Sequence, residues 1–505
     1  MFENQPKGLF ALALANTGER FGYYTMLAVF SLFLKANFGL SESTAGIIYS
    51  SFLGLVYFLP LIGGVLADRF GFGKMVAIGI VIMFFGYLFL SIPLGGDSVA
   101  LVSMLAALLL ISLGTGLFKG NLQVMVGNLY ECPEYADKRD AGFSIFYMAI
   151  NIGALFAPTA ANKIMEWAQS IGYSLNDSYH FAFAVACASL VLSIAIYYAS
   201  RRTFRHVEGG KKGVTKYSAA SEEQLSPADT HARIIALCLV FAVVIFFWMA
   251  FHQNGLSLTF FAEQFNEKRA YGVESMEFNV FNLFAIILIV YGLFAFFQSK
   301  KGMVKAIALA VIVAAGVWLY YDYTQISPDG VGIKAPIFQQ FNPFYVVALT
   351  PFSMLIFSSL AKKGKEPSPP RKIAYGMLVA AVAFCLMIFA STGLPTPDEQ
   401  KALGDGGTFV SSNWLVSTYL VLTFGELLLS PMGISFVSKV APPKYKGMMM
   451  GGWFVATAIG NLLVSIGGIL WGSLPLWVVW SVFATLCLLS AFFMFIMMKR
   501  LEKVC

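Results

Sequence analysis

Long apolar runs separated by short polar breaks recur along the whole chain. A helix needs about 20 apolar residues to cross the hydrocarbon core of a bilayer, whereas a membrane strand needs about 10. Each run is longer than a strand requires, so the pattern predicts membrane helices. About 14 are predicted, at 9–35, 43–67, 74–95, 98–126, 141–166, 180–200, 232–262, 277–299, 303–321, 338–362, 371–392, 409–438, 446–472 and 475–498.

The first of these helices carries a polar stripe in its middle. Asn16, Glu19, Arg20, Tyr23 and Tyr24 are spaced so that they lie on one helix face. A charge at the bilayer centre costs roughly 2.5–3.5 kcal/mol even on a lenient scale, so a polar face must meet protein or a water-filled cavity. We interpret the stripe as the lining of a substrate pathway. The alternative is a Glu19–Arg20 pair that only locks helices together.

The largest hydrophilic break between helices predicts a division into two bundles. A tight turn at Ser299-Lys300-Lys301-Gly302 indicates that the eighth and ninth helices form a hairpin inserted into the second bundle. The predicted parts are an N-terminal six-helix bundle (1–200), a cytoplasmic linker (201–231), the first helix of the C-terminal bundle (232–275), an inserted transmembrane hairpin (276–321) and the five remaining helices (322–505). Two six-helix bundles resemble the arrangement of major facilitator transporters, whose site lies between the halves.

The loop between the second and third helices is a candidate gating loop. It contains Gly64, Asp68 and Arg69. Glycine lets two helices approach closely, and the two charges at the helix end can pair across the interface between the bundles. By itself such a loop is often only a turn, but this place in the topology favours a role in gating.

Composition and charge agree with a protein that lies mostly in lipid. Hydrophobic residues make up 58% of the chain, charged residues 12%, and the mean hydropathy is +0.73, whereas a soluble domain carries roughly 25% charged residues. The net charge of +7 could indicate nucleic acid. However, the outer loops contain few basic residues, namely Lys35, Lys163, Lys268, Arg269, Lys334 and Lys401. Positive charge is therefore a topology signal, which predicts cytoplasmic termini and no nucleic-acid partner.

Several kinds of chemistry are disfavoured by what the sequence lacks. It contains no CxxC, HExxH or GxSxG pattern and has only four histidines. We therefore expect no metal, no cofactor and no enzymatic activity.

Motifs in seven of the helices resemble those of the proton-dependent oligopeptide transporter family. The stripe Asn16-x-x-Glu19-Arg20-Phe21-x-Tyr23-Tyr24 is similar to the family signature E-x-x-E-R-F-x-Y-Y. The fourth helix contains a stretch similar to G-x-G-x-F-K-P-N, with Gly120 in place of the proline. Further matching stretches are Phe143 to Gly153, Trp248 to Gln253, Phe341-Asn342-Pro343, Gly425-Glu426 with Ser430-Pro431, and Trp453-Phe454. The resemblance covers nearly the whole chain and implies the major facilitator fold.

The resemblance implies a site for small peptides, and the chemistry of a peptide zwitterion fits the residues. The peptide carboxylate needs a cation, and Arg20 and Lys119 are cations placed within helices. The peptide amine needs an anion, for which Glu426 is suited. Asn151 and Asn342 can bond amide groups. The substrate-binding residues expected are Arg20, Tyr23, Tyr24, Tyr57, Lys119, Tyr147, Asn151, Trp248, Asn342, Glu426, Ser430 and Trp453. Those expected for proton coupling are Glu19, Arg20, Lys119, Glu426 and His252.

Three ionisable positions of the family are changed in this chain. Asn16 stands where the family has its first glutamate, Leu27 where many members carry an arginine, and His252 where many carry a glutamate. Members usually carry the extra helix pair between the sixth and seventh helices, whereas here it follows the seventh. Either Glu19, Glu426 or His252 carries the proton, or transport is weakly coupled.

These observations predict a multi-pass transporter of a bacterial inner membrane that imports di- and tripeptides by alternating access. The resemblance implies that protons drive it, and we expect it to work as a monomer in the lipid bilayer. One alternative is a carrier of the same fold for another small zwitterion or anion, with weak or no proton coupling. An alternative of another class is an antiporter-like subunit of a respiratory complex, which would need a chain of midplane lysines and histidines.

Overall fold

Seventeen α-helices account for most of the described chain. The computed structural model describes residues 5–135, 138–209, 226–442 and 445–504, so part of the predicted linker, 210–225, lies outside the described residues. The helices are α1 Lys7–Phe38, α2 Glu42–Phe70, α3 Phe72–Leu90, α4 Ser98–Asn128, α5 Arg139–Ser170, α6 Leu175–Ala199, α7 Pro227–Phe251, α8 Ser257–Gln264, α9 Val280–Gln298, α10 Gly302–Thr324, α11 Phe341–Lys362, α12 Pro369–Ala390, α13 Pro397–Leu403, α14 Asn413–Val440, α15 Lys446–Leu462, α16 Ser465–Ile469 and α17 Leu476–Glu502.

The membrane-crossing helices agree with the predicted fold class. In the described chain, thirteen helical segments are long and apolar enough to cross a membrane. The helix α1 is also long enough to cross, at 32 residues, but it carries the polar stripe and is not among the thirteen. The only strands described are β1 (Arg269–Ala270) and β2 (Val331–Gly332), which form a short antiparallel ladder in outer loops. The architecture is therefore all-α and polytopic, as predicted.

Local sequence signals determine where several helices begin and end. Ser41, Asp97 and Ser174 precede α2, α4 and α6, and each side chain accepts a backbone N–H of the first turn. The helix α1 ends at Gly39, whose φ of 62° is the left-handed conformation in which glycine is favoured. These caps allow connections of only a few residues, which keep successive helices antiparallel and adjacent.

Close glycine contacts join the helices within each bundle. A Cβ on Gly63 in α2 would lie 2.0 Å from the carbonyl oxygen of Gly116 in α4, and one on Gly376 in α12 would lie 2.8 Å from that of Gly425 in α14. Asn121 adds a hydrogen bond from its Nδ2 to the carbonyl oxygen of Gly63, at 3.1 Å. Small residues let backbones approach closely in membrane helices, where van der Waals packing drives association. The asparagine of the fourth-helix motif thus contributes to helix packing.

Two helices that were predicted to be continuous are broken. The predicted span 232–262 is interrupted by a 3-10 turn at His252–Gly255 between α7 and α8, and the span 446–472 is interrupted between α15 and α16. Gly255 abuts α2, since a Cβ there would lie 1.8 Å from the Tyr49 hydroxyl. Gln253 joins the two breaks, because its Nε2 donates to the carbonyl oxygens of Met249 and Val464. A 3-10 stretch within a helix often marks a hinge.

The hairpin of α9 and α10 is held together by a polar clamp. Asp322 accepts hydrogen bonds from Asn279 at 3.1 Å and from Asn282 at 2.6 Å. The indole N–H of Trp318 donates to Oδ1 of Asn282 at 3.0 Å. The α9 helix packs on α5 and α11, whereas α10 packs mainly on α9. The hairpin is therefore peripheral to the bundles.

Substitutions at two neighbouring glycines should separate a packing role from a turn role. A Cβ at position 63 would overlap a backbone carbonyl of α4, whereas nothing lies within 4 Å of one at position 64. We expect Gly63→Ala to destabilise the protein by roughly 1–3 kcal/mol, the usual cost of overpacking. Gly64→Ala is the matched control and should leave stability unchanged. Thermal unfolding of the purified protein would measure both, and equal melting temperatures for the two variants would contradict the packing role.

Candidate functional site

The charges of the stripe on α1 form a buried ion pair. Nε and an Nη atom of Arg20 each donate to one carboxylate oxygen of Glu19 at 2.5 Å. Glu19 is 0% and Arg20 is 3% exposed, and the guanidinium also lies over the ring of Tyr23, 4.4 Å from its centroid. A bidentate pair of this kind satisfies both charges in a low-dielectric interior. The carboxylate of Glu19 is thus engaged by its neighbour in the chain.

Lys119 is a second cation of the same bundle, and its charge is not compensated in this way. Its ammonium lies 3.9 Å from the centroid of the Tyr57 ring. Among the described residues, no carboxylate oxygen lies within 4.0 Å of it. The expectation from the sequence is that Lys119 lies within salt-bridge or water-bridged reach of Glu19 or of the substrate carboxylate; Glu19 lies within electrostatic range of Lys119 but makes no direct ion pair with it. A cation–π contact contributes about 0.5–2 kcal/mol, which offsets only part of the cost of burying an ammonium.

Glu426 on α14 is the anion of the second bundle, and it forms a compact unit with two polar neighbours. Nδ2 of Asn342, at the start of α11, donates to Oε2 of Glu426 at 2.9 Å and to Oγ1 of Thr423 at 3.0 Å. Glu426 is 8% and Thr423 is 0% exposed. No described hydrogen bond uses Oε1 of Glu426 or Oδ1 of Asn342. This unit therefore presents two acceptor oxygens.

The cationic and anionic sides face each other across the interface between the bundles. The tyrosines Tyr24, Tyr57 and Tyr147 of α1, α2 and α5 all lie within electrostatic range of Glu426 on α14. Tyr147 is 44% exposed although it lies well inside α5. Asn151, one turn further along α5, donates its Nδ2 to the Tyr147 carbonyl oxygen at 3.0 Å. The structure thus brings these predicted residues near one another at the interface between the bundles.

His252 and Trp248 extend the site toward the break between α7 and α8. Their rings stack with centroids 5.3 Å apart, and the Tyr57 ring lies edge-on to His252 at 6.1 Å. His252 also lies within electrostatic range of Lys119 and in contact with Asn461 of α15. The indole N–H of Trp248, which is 8% exposed, has no hydrogen-bond partner among the described residues.

Other predicted residues lie behind the cavity wall or at its edge. Tyr23 is 3% exposed and stacks on Phe52, and Trp453 is 3% exposed with its ring against Gly433. Asn16 and Leu27 are buried, and Ser430 is half-buried beside Pro431 within α14. The prediction of a gating loop is wrong in its local structure, because Gly64, Asp68 and Arg69 all lie within α2 and only Gly71 separates α2 from α3. Gly64 is half-buried, whereas Asp68 and Arg69 are exposed.

The outer ends of the two bundles are joined by ion pairs. Lys35 of α1 contacts Glu263 of α8 at 2.9 Å, and Glu42 of α2 contacts Lys401 of α13 at 2.6 Å. A backbone contact lies beside them, since a Cβ on Gly468 would be 2.5 Å from the Glu42 carbonyl oxygen. These contacts join the bundles at the ends that lie away from the chain termini. Lys35 and Lys401 were predicted in outer loops, but their pairing was not predicted because it joins residues distant in sequence.

Thr423 and the segment before α11 were also missed. Thr423 precedes Glu426 by three residues and so shares its helix face, which is a signal that the sequence offered. Gln339 donates to the Ala28 carbonyl oxygen at 3.2 Å, and Gln340 accepts from Thr159 at 3.1 Å. These glutamines join the segment before Asn342 to α1 and α5.

As for metals, no group of three or more His, Cys, Asp or Glu side chains among the described residues could hold an ion.

Comparison with known sequences places the chain among transporters. A family model described as the POT family matches residues 73–222 and 317–467. An uncharacterized transporter of Bacillus subtilis, YclF, is 30% identical over 485 residues, which cover 92% of this chain and 87% of that one. A di-/tripeptide transporter of Lactococcus lactis subsp. lactis is 28% identical, with 92% of this chain and 89% of the relative covered.

Comparison with solved structures gives the same fold. A mutant of the peptide transporter POT in complex with alafosfalin has a TM-score of 0.74 at 23% identity, covering 100% of this chain and 96% of that chain. A POT family transporter in complex with 5-aminolevulinic acid has a TM-score of 0.74 at 21% identity, covering 99% of this chain and 98% of that chain. At this level of identity the likeness shows the fold, and the predicted major facilitator fold is confirmed.

Removing one partner of the Glu19–Arg20 pair should destabilise the protein strongly. Glu19→Gln leaves the Arg20 charge buried without its counter-ion, which costs roughly 3–5 kcal/mol. The matched control is Glu166→Gln, because Glu166 pairs with Lys163 at 3.0 Å where both side chains are largely exposed. Such a pair contributes about 0–1 kcal/mol. Thermal unfolding would compare the variants, and similar melting temperatures would show that the buried pair is not required for stability.

Proposed function

The chain belongs to the POT family, and from this membership we propose that it imports di- and tripeptides by alternating access around the cavity between its bundles. Relatives named as di-/tripeptide transporters cover nearly the whole chain. The cavity offers what a peptide zwitterion requires, with cations on one bundle and an anion on the other. Peptides are therefore the substrates, and transport is the activity rather than catalysis.

The observation that carries this proposal is the separation of opposite charges across the interface. Lys119 holds an ammonium without a described carboxylate partner, and Glu426 holds a carboxylate without a described basic partner. In a low-dielectric site each charge favours a counter-ion strongly. A molecule with a carboxylate at one end and an ammonium at the other satisfies both. The half-buried tyrosines Tyr24 and Tyr57 can pack against side chains of many kinds.

Amide groups of a peptide backbone have partners in the same cavity. Asn151 and Asn342 each use Nδ2 on a protein acceptor, which leaves Oδ1 to accept an N–H. The free indole N–H of Trp248 can donate to a carbonyl oxygen. Donors and acceptors for a peptide bond are thus available beside the charged residues.

The contacts at the two sides of the membrane support alternating access. The outer ends of the bundles are bridged by Lys35–Glu263 and Glu42–Lys401, while Tyr147 in the cavity is 44% exposed. Contacts of this kind, which join the bundles at one end only through side chains and one close backbone approach, are what an alternating-access carrier would break and remake. The two bundles, with the predicted boundaries 1–200 and 232–505, would move relative to each other during transport. Gly64, Asp68 and Arg69 would act at the cytoplasmic end of the interface between them.

Several finer points complete the proposal. The carrier lies in a bacterial inner membrane as a monomer, with both termini in the cytoplasm as the distribution of basic residues predicts. Protons drive import, and the groups that exchange them are among Glu19, Arg20, Lys119, Glu426 and His252. Glu19 is held by Arg20, so Lys119, Glu426 and His252 are the ones free to change charge as substrate binds.

A second candidate function is transport of another small zwitterion with weak proton coupling. A POT family relative has been solved with 5-aminolevulinic acid, which also has an amine and a carboxylate. In addition, Asn16 and Leu27 lack the ionisable groups typical of those positions. Such a substrate would use Lys119 and Glu426 but not the amide acceptors. Competition between the two ligand classes would discriminate them.

The charge assignment can be tested with two variants and three ligands. Glu426→Gln should weaken binding of dipeptides with a free amine but not of N-acetylated ones. Lys119→Gln should weaken binding of ligands with a free carboxylate but not of C-terminal amides. Loss of a hydrogen bond to a charged group costs about 1.5–3 kcal/mol, which is roughly tenfold to a hundredfold in affinity. Equal losses for all three ligands would contradict the assignment.

Proton coupling can be tested in proteoliposomes. A labelled dipeptide should accumulate inside the proteoliposomes above its equilibrium concentration only when an inward proton gradient is imposed. His252→Ala should reduce this accumulation more than it reduces counterflow exchange, because exchange needs substrate binding but no net proton movement. His180→Ala is the control, since His180 lies on α6 with Nδ1 2.7 Å from the Leu90 carbonyl oxygen. Equilibration of the dipeptide without accumulation, even when the gradient is imposed, would indicate an uncoupled carrier.

A further inference from the structure

We propose that Thr423 is a positioning residue that fixes the side-chain amide of Asn342, so that the site presents acceptors to the substrate amine. This inference rests on the proposed function, because it concerns the end of the site assigned to the peptide ammonium. Thr423 lies on α14 one turn before Glu426 and is 0% exposed. It is therefore part of the wall behind the site.

The geometry determines which way the amide points. A primary amide has two N–H donors on its nitrogen and two lone pairs on its oxygen. Oε2 of the Glu426 carboxylate accepts one N–H at 2.9 Å, and Oγ1 of Thr423 accepts the other at 3.0 Å. Both donors of Asn342 are thus used within the protein. Oδ1 is left toward the cavity together with Oε1 of Glu426.

The hydroxyl of Thr423 decides the polarity that the substrate meets. An ammonium group has only N–H donors, and it binds where acceptors converge. Without an acceptor at position 423, one N–H of Asn342 would lack a partner in a buried site, and that loss favours rotation of the amide. A rotated amide would oppose the ammonium with a donor. The hydroxyl therefore favours ligands with a free amine.

The experiment compares equilibrium binding of a free-amine dipeptide and its N-acetylated analogue to the purified full chain. Thr423→Val keeps the shape of the side chain and removes the hydroxyl. It should lower the preference for the free amine about threefold to tenfold, the range for one hydrogen bond. Thr423→Ser keeps the hydroxyl and should restore the wild-type preference. If Thr423→Val does not fold, Thr423→Ala gives the same comparison.

A matched control lies on the same helix. Thr418 is also 0% exposed, but its hydroxyl donates to the Trp414 carbonyl oxygen of its own helix at 2.8 Å. Thr418→Val removes an equally buried hydroxyl and should leave the preference unchanged. The same loss of preference in Thr418→Val and Thr423→Val would overturn the proposal, because it would reflect helix packing alone.

A double substitution tests whether Thr423 acts through Asn342. If it does, Thr423→Val should have no further effect on the preference in an Asn342→Ala background. Additive losses would overturn the positioning role. An unchanged preference in Thr423→Val, with a lowered one in Glu426→Gln, would also overturn it while leaving the proposed function standing. An unchanged preference in Glu426→Gln would instead overturn the amine assignment on which both depend.

Discussion

The buried pair of Glu19 and Arg20 is the interaction on which the rest of the site depends. Two adjacent residues of α1 neutralise each other at 2.5 Å, with neither side chain exposed to more than a few per cent. Because Glu19 is engaged, it does not compensate Lys119 directly, and that ammonium rests on the Tyr57 ring. The low dielectric of the membrane makes an uncompensated charge costly. The pair thus makes Lys119 the cation that a substrate can satisfy.

On the opposite side of the site, hydrogen bonds rather than an ion pair hold the polar side chains in place. Nδ2 of Asn342 donates one N–H to Oε2 of Glu426 and the other to Oγ1 of Thr423. Three side chains on two helices thereby leave Oδ1 of Asn342 and Oε1 of Glu426 without a described hydrogen-bond donor. Under the proposed function, these oxygens would accept the N–H groups of the substrate ammonium, and the neighbouring aromatic residues would contact peptide side chains.

The sequence predicted the fold better than the site. Apolar runs of helix length gave the membrane helices, and the turn at Ser299–Gly302 gave the hairpin, because both signals are local. The break at His252–Gly255 was not predicted, since it depends on contacts of Gly255 with Tyr49 and of Gln253 with α15. The pairing of Arg20 with Glu19 rather than a contact of Lys119 with Glu19 depends on side-chain geometry. Roles in binding and coupling remain predictions for the site residues.

Ion pairs are among the contacts that join the two bundles at the ends away from the chain termini. Closure here uses pairs such as Glu42–Lys401, in which the lysine side chain is 43% exposed, and a backbone contact at Gly468. Exposed pairs contribute about 0–1 kcal/mol and are screened by salt, so they can open readily. Under the proposed function, the balance between outward and inward states would then depend mainly on the charges at the site. Compensation of Lys119 and Glu426 by a zwitterion would be the step that links binding to the change of state.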